Sequence, residues 1–172
     1  MGFVLLIPFL LIRFGLLTLL NKAAVKRAAH FSPLMKNEKT AYWVYQVFAL
    51  ALYLCPFFLK IKVVPPLLFG AGVLIYAMGI ILIIVSLINF AAPSESGMNK
   101  SGLYRISRNP LYMAYFVFFI GCVLLTQSLL LLGIVLVLQI STHWMILAEE
   151  RWCAATFGED YLQYMRNVRR YI

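Results

Sequence analysis

Five runs of apolar residues, separated by polar segments, dominate the hydropathy pattern of this chain. A helix needs about 20 predominantly apolar residues to cross the hydrocarbon core of a bilayer. The runs cover residues 3–20, 41–59, 67–88, 111–125 and 129–147. The pattern therefore predicts an all-α fold, a polytopic integral membrane helical protein with five transmembrane helices.

The polar segments between the runs add detail to this prediction. Only Thr126, Gln127 and Ser128 separate the fourth run from the fifth, so these two runs are expected to form a tight helical hairpin. Longer polar segments follow the first run and the third. The polar, amphipathic chain after Glu149 predicts a cytoplasmic C-terminal helix. We expect the first run to be a retained span, because no basic segment precedes it and no small-residue cleavage site follows it.

The composition agrees with a membrane environment. Of 172 residues, 63% are hydrophobic and 12% are charged, and the mean hydropathy is +0.89. Soluble domains are about half apolar and a quarter charged, so this composition excludes an ordinary soluble or disordered protein. Cys55, Cys122 and Cys153 are far apart and form no CxxC pair, and there are two histidines. No metal site is expected from such a set.

The basic residues predict the orientation of the chain in the membrane. There are 15 Lys and Arg against 6 Asp and Glu, which gives a net charge of +9. With five spans, twelve of the basic residues fall on one side and only Lys60 and Lys62 on the other, with Arg13 inside the first span. Because cytoplasmic loops carry the excess of Lys and Arg, the N-terminus is expected outside and the C-terminus in the cytoplasm. No nucleic-acid partner is expected.

Two features inside the spans are unusual. Arg13 is costly in mid-span, so it must face protein, snorkel to the interface or mark a site. Gly70, Gly72 and Gly79 lie in the third run, where small residues allow helices to approach closely in lipid.

The first polar segment with candidate chemistry runs from Ser101 to Tyr112. Pro110 suits the first turn of the fourth helix, and Asn109 suits the N-cap, where its side chain can satisfy a free backbone amide. One interpretation is a plain helix start with interfacial Tyr and Arg residues. The other is that free N–H groups at this helix terminus bind an anionic or carbonyl group of a ligand.

The second candidate region is the end of the fifth run. Helical spacing places Gln139, His143 and Glu150 on one stripe, with Thr142 and Glu149 on the neighbouring stripe. Polar groups within a span usually face protein or a cavity. Glu149 and Glu150 could simply pair with Arg151 or Arg105. Alternatively, one of the two carboxylates receives the hydroxyls or a cationic group of a ligand.

Taken in order, the motifs of both regions are more specific than either alone. They are Ser-Gly-x-Tyr (101–104), Arg-Asn-Pro-x-Tyr (108–112), the apolar hairpin, Glu-Glu (149–150) and Phe-Gly-Glu-x-Tyr-x-x-Tyr (157–164). This order resembles the isoprenylcysteine carboxyl methyltransferase family and the related phospholipid methyltransferases, integral membrane enzymes that use S-adenosylmethionine. The resemblance covers residues 89–172. It implies a division into a three-span membrane region, 1–88, and a cofactor-binding and catalytic region, 89–172.

The resemblance also implies which residues bind the cofactor, S-adenosylmethionine. They come from the end of the third span, the segments around the two motifs and the carboxylate after the last span: Asn89, Ser96, Gly97, Met98, Asn99, Tyr104, Asn109, Pro110, Leu111, Tyr112 and Glu149. Two positions depart from the family pattern. Asn109 stands where the family often has His, and Met145 stands where the eukaryotic enzymes have an Arg that helps to hold the substrate carboxylate.

Methyl transfer from a sulfonium is an in-line displacement, so the enzyme must chiefly align the donor and the acceptor and exclude water. The acceptor implied by the resemblance is a lipophilic or lipidated molecule that enters from the bilayer among membrane lipids. If that acceptor must lose a proton, Glu150 or His143 is the candidate catalytic base.

Two other functions fit the sequence less closely. Sterol-type membrane reductases that use NADPH have a similar tail, to which Arg151, Cys153, Phe157 and Gly158 correspond loosely. In the other alternative, the chain is a non-enzymatic membrane protein whose motifs are helix caps and interfacial anchors.

Overall fold

Helices make up most of the part of the chain that the structure describes. The computed structural model describes residues 1–21, 24, 25, 27, 32–35, 38–93 and 97–171. Within these ranges the helices are α1 (Gly2–Leu20), α2 (Glu38–Phe58), α3 (Pro66–Ala91), α4 (Pro110–Thr126), α5 (Leu129–Phe157) and α6 (Glu159–Asn167). A 3-10 turn, Gly102–Arg105, precedes α4.

The predicted all-α polytopic membrane fold is confirmed. Four helices, α1, α2, α3 and α5, are long and apolar enough to cross a membrane, and α4 is a shorter apolar helix of 17 residues. At about 1.5 Å per residue, α4 is roughly 26 Å long. Its first residue, Pro110, and the preceding Asn109 are both buried, so this helix begins inside the protein.

The first span is irregular at its centre. A π-helical segment, Leu11–Leu16, interrupts α1 and contains Arg13. The Arg13 guanidinium carbon lies 5.0 Å from the ring centroid of Tyr115 on α4. Arg13 therefore faces protein.

Contacts between helix ends divide the molecule into two opposite faces. At one end, the Gly2 amide donates to the Leu59 carbonyl at 2.8 Å, and the Lys62 amide donates to the Leu125 carbonyl at 2.9 Å. We call this end the Lys62 face. At the other end, the Asn21 side chain donates to the Ala91 carbonyl at 3.0 Å. We call this the Asn21 face.

The Asn21 face also holds the first residue of α2 against the end of α5. The Arg151 guanidinium donates both Nη atoms to the two carboxylate oxygens of Glu38, each at 2.6 Å. The loop before α4 and the C-terminal segment lie at this same end, because α4 starts and α5 ends there. Consecutive helices thus run in alternating directions, as the five-span prediction requires.

Glycines allow α3 and α4 to pack closely. A Cβ atom at Gly79 would lie 2.6 Å from the Phe118 backbone nitrogen, and one at Gly121 would lie 2.5 Å from the Tyr76 Cα. Small residues allow the backbones of two helices to approach this closely within a membrane. The expected role of the small residues holds for Gly79 and Gly72, whereas a Cβ at Gly70 would meet nothing within 4 Å.

The predicted hairpin has a tight connection. Gln127 ends α4 in the left-handed conformation, with φ of 49°, and the Ser128 hydroxyl caps α5 by accepting from the Leu131 amide at 3.2 Å. The two helices nevertheless have other principal partners. α4 packs most extensively on α3, and α5 on α2.

One hydrophobic cluster joins all five long helices. Phe9 and Phe118 are its largest fully buried side chains, and their ring centroids are 5.2 Å apart. The cluster contains residues from both sides of position 88, so the two predicted regions share a core. Large apolar side chains such as Leu67 and Leu129 are exposed, as expected for a lipid-facing surface.

Candidate functional site

A phenol–carboxylate pair is at the centre of the candidate site. The Tyr112 hydroxyl donates a hydrogen bond of 2.6 Å to Glu149 Oε1. Tyr112 lies in the first turn of α4 and Glu149 near the end of α5, so the pair forms where these helices meet at the Asn21 face. The structure therefore brings together two predicted cofactor residues that are 37 positions apart.

A cavity lies beside Tyr112. It has a volume of about 80 Å³ and is lined by residues of α1, α2, α4 and α5. Tyr112 is in its lining, as are Gln139 and Thr142 from the polar stripes predicted on α5. Apolar side chains such as Phe119 and Leu138 complete the wall. The cavity thus has a largely apolar wall into which Tyr112 and the polar stripes of α5 bring a few polar side chains.

The loop before α4 is anchored to the end of α3. Asn89 Oδ1 accepts from the Leu103 amide at 2.9 Å, and Gly102 adopts a φ of +58° directly against the Asn89 amide. A Cβ at Gly102 would overlap that amide, so both the backbone angle and the available space require glycine here. Asn89 therefore positions the Ser-Gly-x-Tyr motif through its side chain.

This anchored turn buries Tyr104. The Tyr164 hydroxyl on α6 donates to the Tyr104 carbonyl at 2.6 Å. Burial raises the pKa of Tyr104 and raises the pKa of Tyr164 to about 12, so both phenols remain neutral hydrogen-bond donors at physiological pH. Tyr164 of the last motif thus holds the first motif in place.

The segment before Ser101 packs on α6. Met98 forms a small hydrophobic cluster with Tyr161 and Tyr164, and Gly97, with φ of +82°, lies beside Phe157. The buried Asn99 Oδ1 has no hydrogen-bond partner among the described residues. Buried polar atoms are rarely left unpaired, so this oxygen is available to a ligand. Ser96, also predicted as a cofactor residue, lies outside the described residues.

Asn109 occupies the N-cap of α4, but its expected capping bond is wrong. Its side chain caps no helix amide. Instead, Asn109 Nδ2 donates to the Arg170 carbonyl at 3.2 Å, and the Asn109 amide donates to the Ser107 hydroxyl at 3.1 Å. The C-terminal segment lies within reach of this side chain, because Arg169 forms an isolated parallel β-bridge with Ser107. Pro110 is in the first turn, as predicted, and the adjacent Leu111 is half-buried.

Of the two alternatives for the glutamates, the pairing with Arg151 or Arg105 is wrong. Glu150 is buried and receives hydrogen bonds from Arg170 Nε at 3.0 Å and Arg170 Nη2 at 2.8 Å. Arg108 Nη2 lies 3.4 Å from the other oxygen of the same carboxylate. The tail folds back across the site, which is why it provides partners that helical spacing could not reveal.

Arg108 places a second, buried guanidinium group in the site. Its side chain is only 8% exposed, and among the described residues its Nε and Nη1 have no hydrogen-bond partner. A buried guanidinium with unpaired donors favours an anionic ligand such as a carboxylate. Arg108 was not among the residues predicted for the site, although it stands directly before Asn109 and Pro110 in the Arg-Asn-Pro-x-Tyr motif.

His143, the other predicted base, also contacts the tail. Its Nδ1 lies 2.6 Å from the Tyr171 hydroxyl. His143 and Glu150, which share one stripe of α5, therefore both contact the last residues of the described chain. Their roles as bases remain predictions.

The fold and the site together define an integral membrane protein of helices in which polar side chains cluster where α4, α5 and the tail meet. A sequence model of the family described as phospholipid methyltransferase matches residues 67–160, more than half of the chain. The chain belongs to this family, which makes it a membrane methyltransferase. No curated protein and no solved structure matches the chain.

Proposed function

We propose that the protein transfers a methyl group from S-adenosylmethionine to a lipophilic acceptor. The observation that carries this proposal is the Tyr112–Glu149 pair, which lies within the segment that matches the family and whose tyrosine lines an intramembrane cavity. A carboxylate beside an aromatic ring suits a positively charged donor. The pair is also adjacent to the cavity in which an acceptor would lie.

The chemistry of the neighbouring side chains fits the cofactor. The unpaired Arg108 donors suit a carboxylate, and the unpaired Asn99 oxygen suits an N–H donor. S-adenosylmethionine carries both kinds of group and supplies a methyl group on a sulfonium. Glu149 and Tyr112 would hold its cationic part, and the remaining predicted residues, anchored through Asn89, would enclose it.

The same arrangement orients the acceptor and excludes water. An acceptor entering sideways from the bilayer would place its reactive group toward Tyr112, and the apolar wall keeps that group dehydrated. For an acceptor that must lose a proton, His143 is better suited as the base than Glu150. Both carboxylate oxygens of Glu150 already contact guanidinium groups, those of Arg108 and Arg170.

The cofactor site is proposed to lie on the cytoplasmic side, with the N-terminus outside. Lys60 and Lys62 flank the opposite face, which is also where α1 begins. Among the residues that the structure describes, the remaining loop and tail cations lie on the side of the proposed site. Fusing a reporter that is active only in the cytoplasm to the C-terminus should give signal. A signal only from a periplasmic or extracellular reporter would reverse the orientation.

Thermal stability of the purified protein in detergent tests the proposed activity. A ligand that binds the folded state raises the melting midpoint. We expect S-adenosylmethionine and its demethylated product to raise it. Glu149→Gln should remove the shift, and Glu159→Gln, at an exposed site on α6, should retain it. The absence of a shift with either ligand would overturn the proposal, and a shift with NADPH alone would favour a reductase.

A further inference from the structure

The chain crosses the candidate site once more after α6 ends. The Val168 amide donates to the Tyr164 carbonyl at 3.0 Å, and Val168 itself is extended, with φ of −124°. We call residues 168–171 the strap. They lie beyond the segment that matches the family.

The backbone of the strap lies along the residues that begin α4. The Arg108 amide donates to the Arg169 carbonyl at 2.9 Å. The Arg170 carbonyl accepts from the Ser107 hydroxyl and from Asn109 Nδ2, both at 3.2 Å. The strap therefore covers the start of the helix that carries Tyr112.

Two side chains hold the strap to α5. Arg170 donates to Glu150, and the Tyr171 hydroxyl lies 2.6 Å from His143 Nδ1. Both strap side chains are partly exposed, and among the described residues neither belongs to a hydrophobic cluster. Segments held by few buried apolar contacts open locally while the rest of the fold stays intact.

The distances show which guanidinium group holds Glu150. Arg170 Nε and Nη2 lie 3.0 and 2.8 Å from Glu150 Oε2, whereas Arg108 Nη2 lies 3.4 Å from Oε1. Arg170 is thus the main partner, and Arg108 Nε and Nη1 have no partner among the described residues. With the strap open, Arg108 would be left to compensate the buried carboxylate, because an unpaired buried charge is costly. Its donors would then be less available to a ligand.

The Arg108 side chain is only 8% exposed, so a ligand can pair with it only after a covering segment moves aside. We propose that the strap opens to admit and release this ligand and closes over it, with Arg170 as the positioning residue. By pairing with Glu150, Arg170 keeps the strap closed and leaves the Arg108 donors to the ligand. This inference rests on the proposed function for its identification of the ligand as S-adenosylmethionine or its demethylated product.

Hydrogen exchange of the protein without ligand tests whether the strap opens on its own. The Arg108 amide donates to the strap, so its exchange reports the opening. It should exchange at least about tenfold faster than the buried amides of α4, and the demethylated product should slow it. Exchange of the Arg108 amide only at the rate of global unfolding would overturn the proposal.

Dissociation rates of the demethylated product test the role of Arg170. Arg170→Gln should raise the rate about tenfold without slowing association, because charge-assisted hydrogen bonds are lost. Arg170→Lys keeps the charge without the planar fork and should recover part of the effect. Arg166→Gln, at an exposed site, should match the wild type. A smaller binding fraction with an unchanged dissociation rate would show a purely structural role and overturn the proposal.

A second variant addresses the case in which Arg170→Gln does not fold. Tyr171→Phe removes the contact with His143 and leaves no charge buried without a partner. It should raise the dissociation rate roughly two- to tenfold, the effect of one neutral hydrogen bond. If Arg170→Gln does not fold, an unchanged rate in Tyr171→Phe would overturn the proposal.

The two kinds of measurement separate this inference from the proposed function. Independent opening of the strap in a protein that binds neither S-adenosylmethionine nor its product would refute the methyltransferase proposal but not the strap. Binding of the product without slower exchange of the Arg108 amide would refute the strap alone.

Discussion

Tyr112 donates its hydroxyl hydrogen to Glu149 Oε1 over 2.6 Å, which joins the first turn of α4 to the end of α5. Both residues were expected at the cofactor site, but nothing in the sequence showed that one would hold the other. If Glu149 binds the cofactor, Tyr112 acts on the orientation and charge of that carboxylate as well as on the cavity wall.

Tyr112→Phe should therefore weaken cofactor binding without unfolding the protein. A hydrogen bond to a charged group contributes about 1.5–3 kcal/mol, so the dissociation constant should rise roughly 10- to 100-fold. Calorimetric titration with the demethylated cofactor product would measure it. Tyr53→Phe, elsewhere in the cavity, is the matched control and should bind normally. Equal affinities for Tyr112→Phe and wild type would show that the pair has no part in binding.

The Glu150 cluster should make the tail essential for stability. Arg170→Ala leaves a buried carboxylate with only Arg108 nearby, and breaking a buried ion pair costs about 3–5 kcal/mol, reduced here because Arg170 is partly exposed. We expect a clear fall in the melting midpoint and faster proteolysis of the C-terminal segment. Arg166→Ala breaks the exposed pair with Glu159 and should change stability by less than about 1 kcal/mol.

The Glu38–Arg151 pair should couple α2 to α5. Its two bonds of 2.6 Å are bidentate, with Glu38 buried and Arg151 partly exposed. A double-mutant cycle with Glu38→Gln and Arg151→Gln should give a coupling energy of about 1–3 kcal/mol, between the ranges for surface and buried pairs. Unfolding in mixed micelles would measure it. Additive effects of the two substitutions would mean that the contact contributes nothing.

Close packing of α3 on α4 should make two glycines irreplaceable. Gly79→Ala and Gly121→Ala each drive a methyl group into backbone atoms of the facing helix, which cannot move away cheaply. Each should destabilise the protein by about 1–3 kcal/mol or more. Gly70→Ala and Gly133→Ala meet nothing within 4 Å and should be neutral or stabilising, by up to about 1 kcal/mol from helix propensity. Similar melting midpoints for all four variants would contradict the packing.

The rate of methyl transfer tests whether His143 acts as a base. If it acts as a base, His143→Gln should lower methyl transfer to a lipid extract about 10²-fold or more with cofactor binding unchanged. Tyr171→Phe removes the 2.6 Å contact with His143 but keeps the imidazole, and should have a much smaller effect. Equal losses in the two variants would indicate that His143 only positions the tail.

The sequence by itself determined the membrane fold and the family. Apolar runs long enough to cross a bilayer predict helices, because a helix pairs its own backbone N–H and C=O groups and unpaired ones are too costly in lipid. The motif order was sufficient to identify the family, and Glu149 and Tyr112 were named from it. The glycines of the third run were recognised as packing residues before their partners were known.

Only the tertiary structure decided which partners these residues have. Asn109 contacts the tail instead of capping its helix, and Glu150 pairs with Arg170 and Arg108 instead of Arg151 or Arg105. Arg13 was one cation with three possible explanations until helix packing placed it in a cavity beside Tyr115. Such contacts depend on how distant segments meet in space, whereas hydropathy and helical spacing report only on neighbours along the chain.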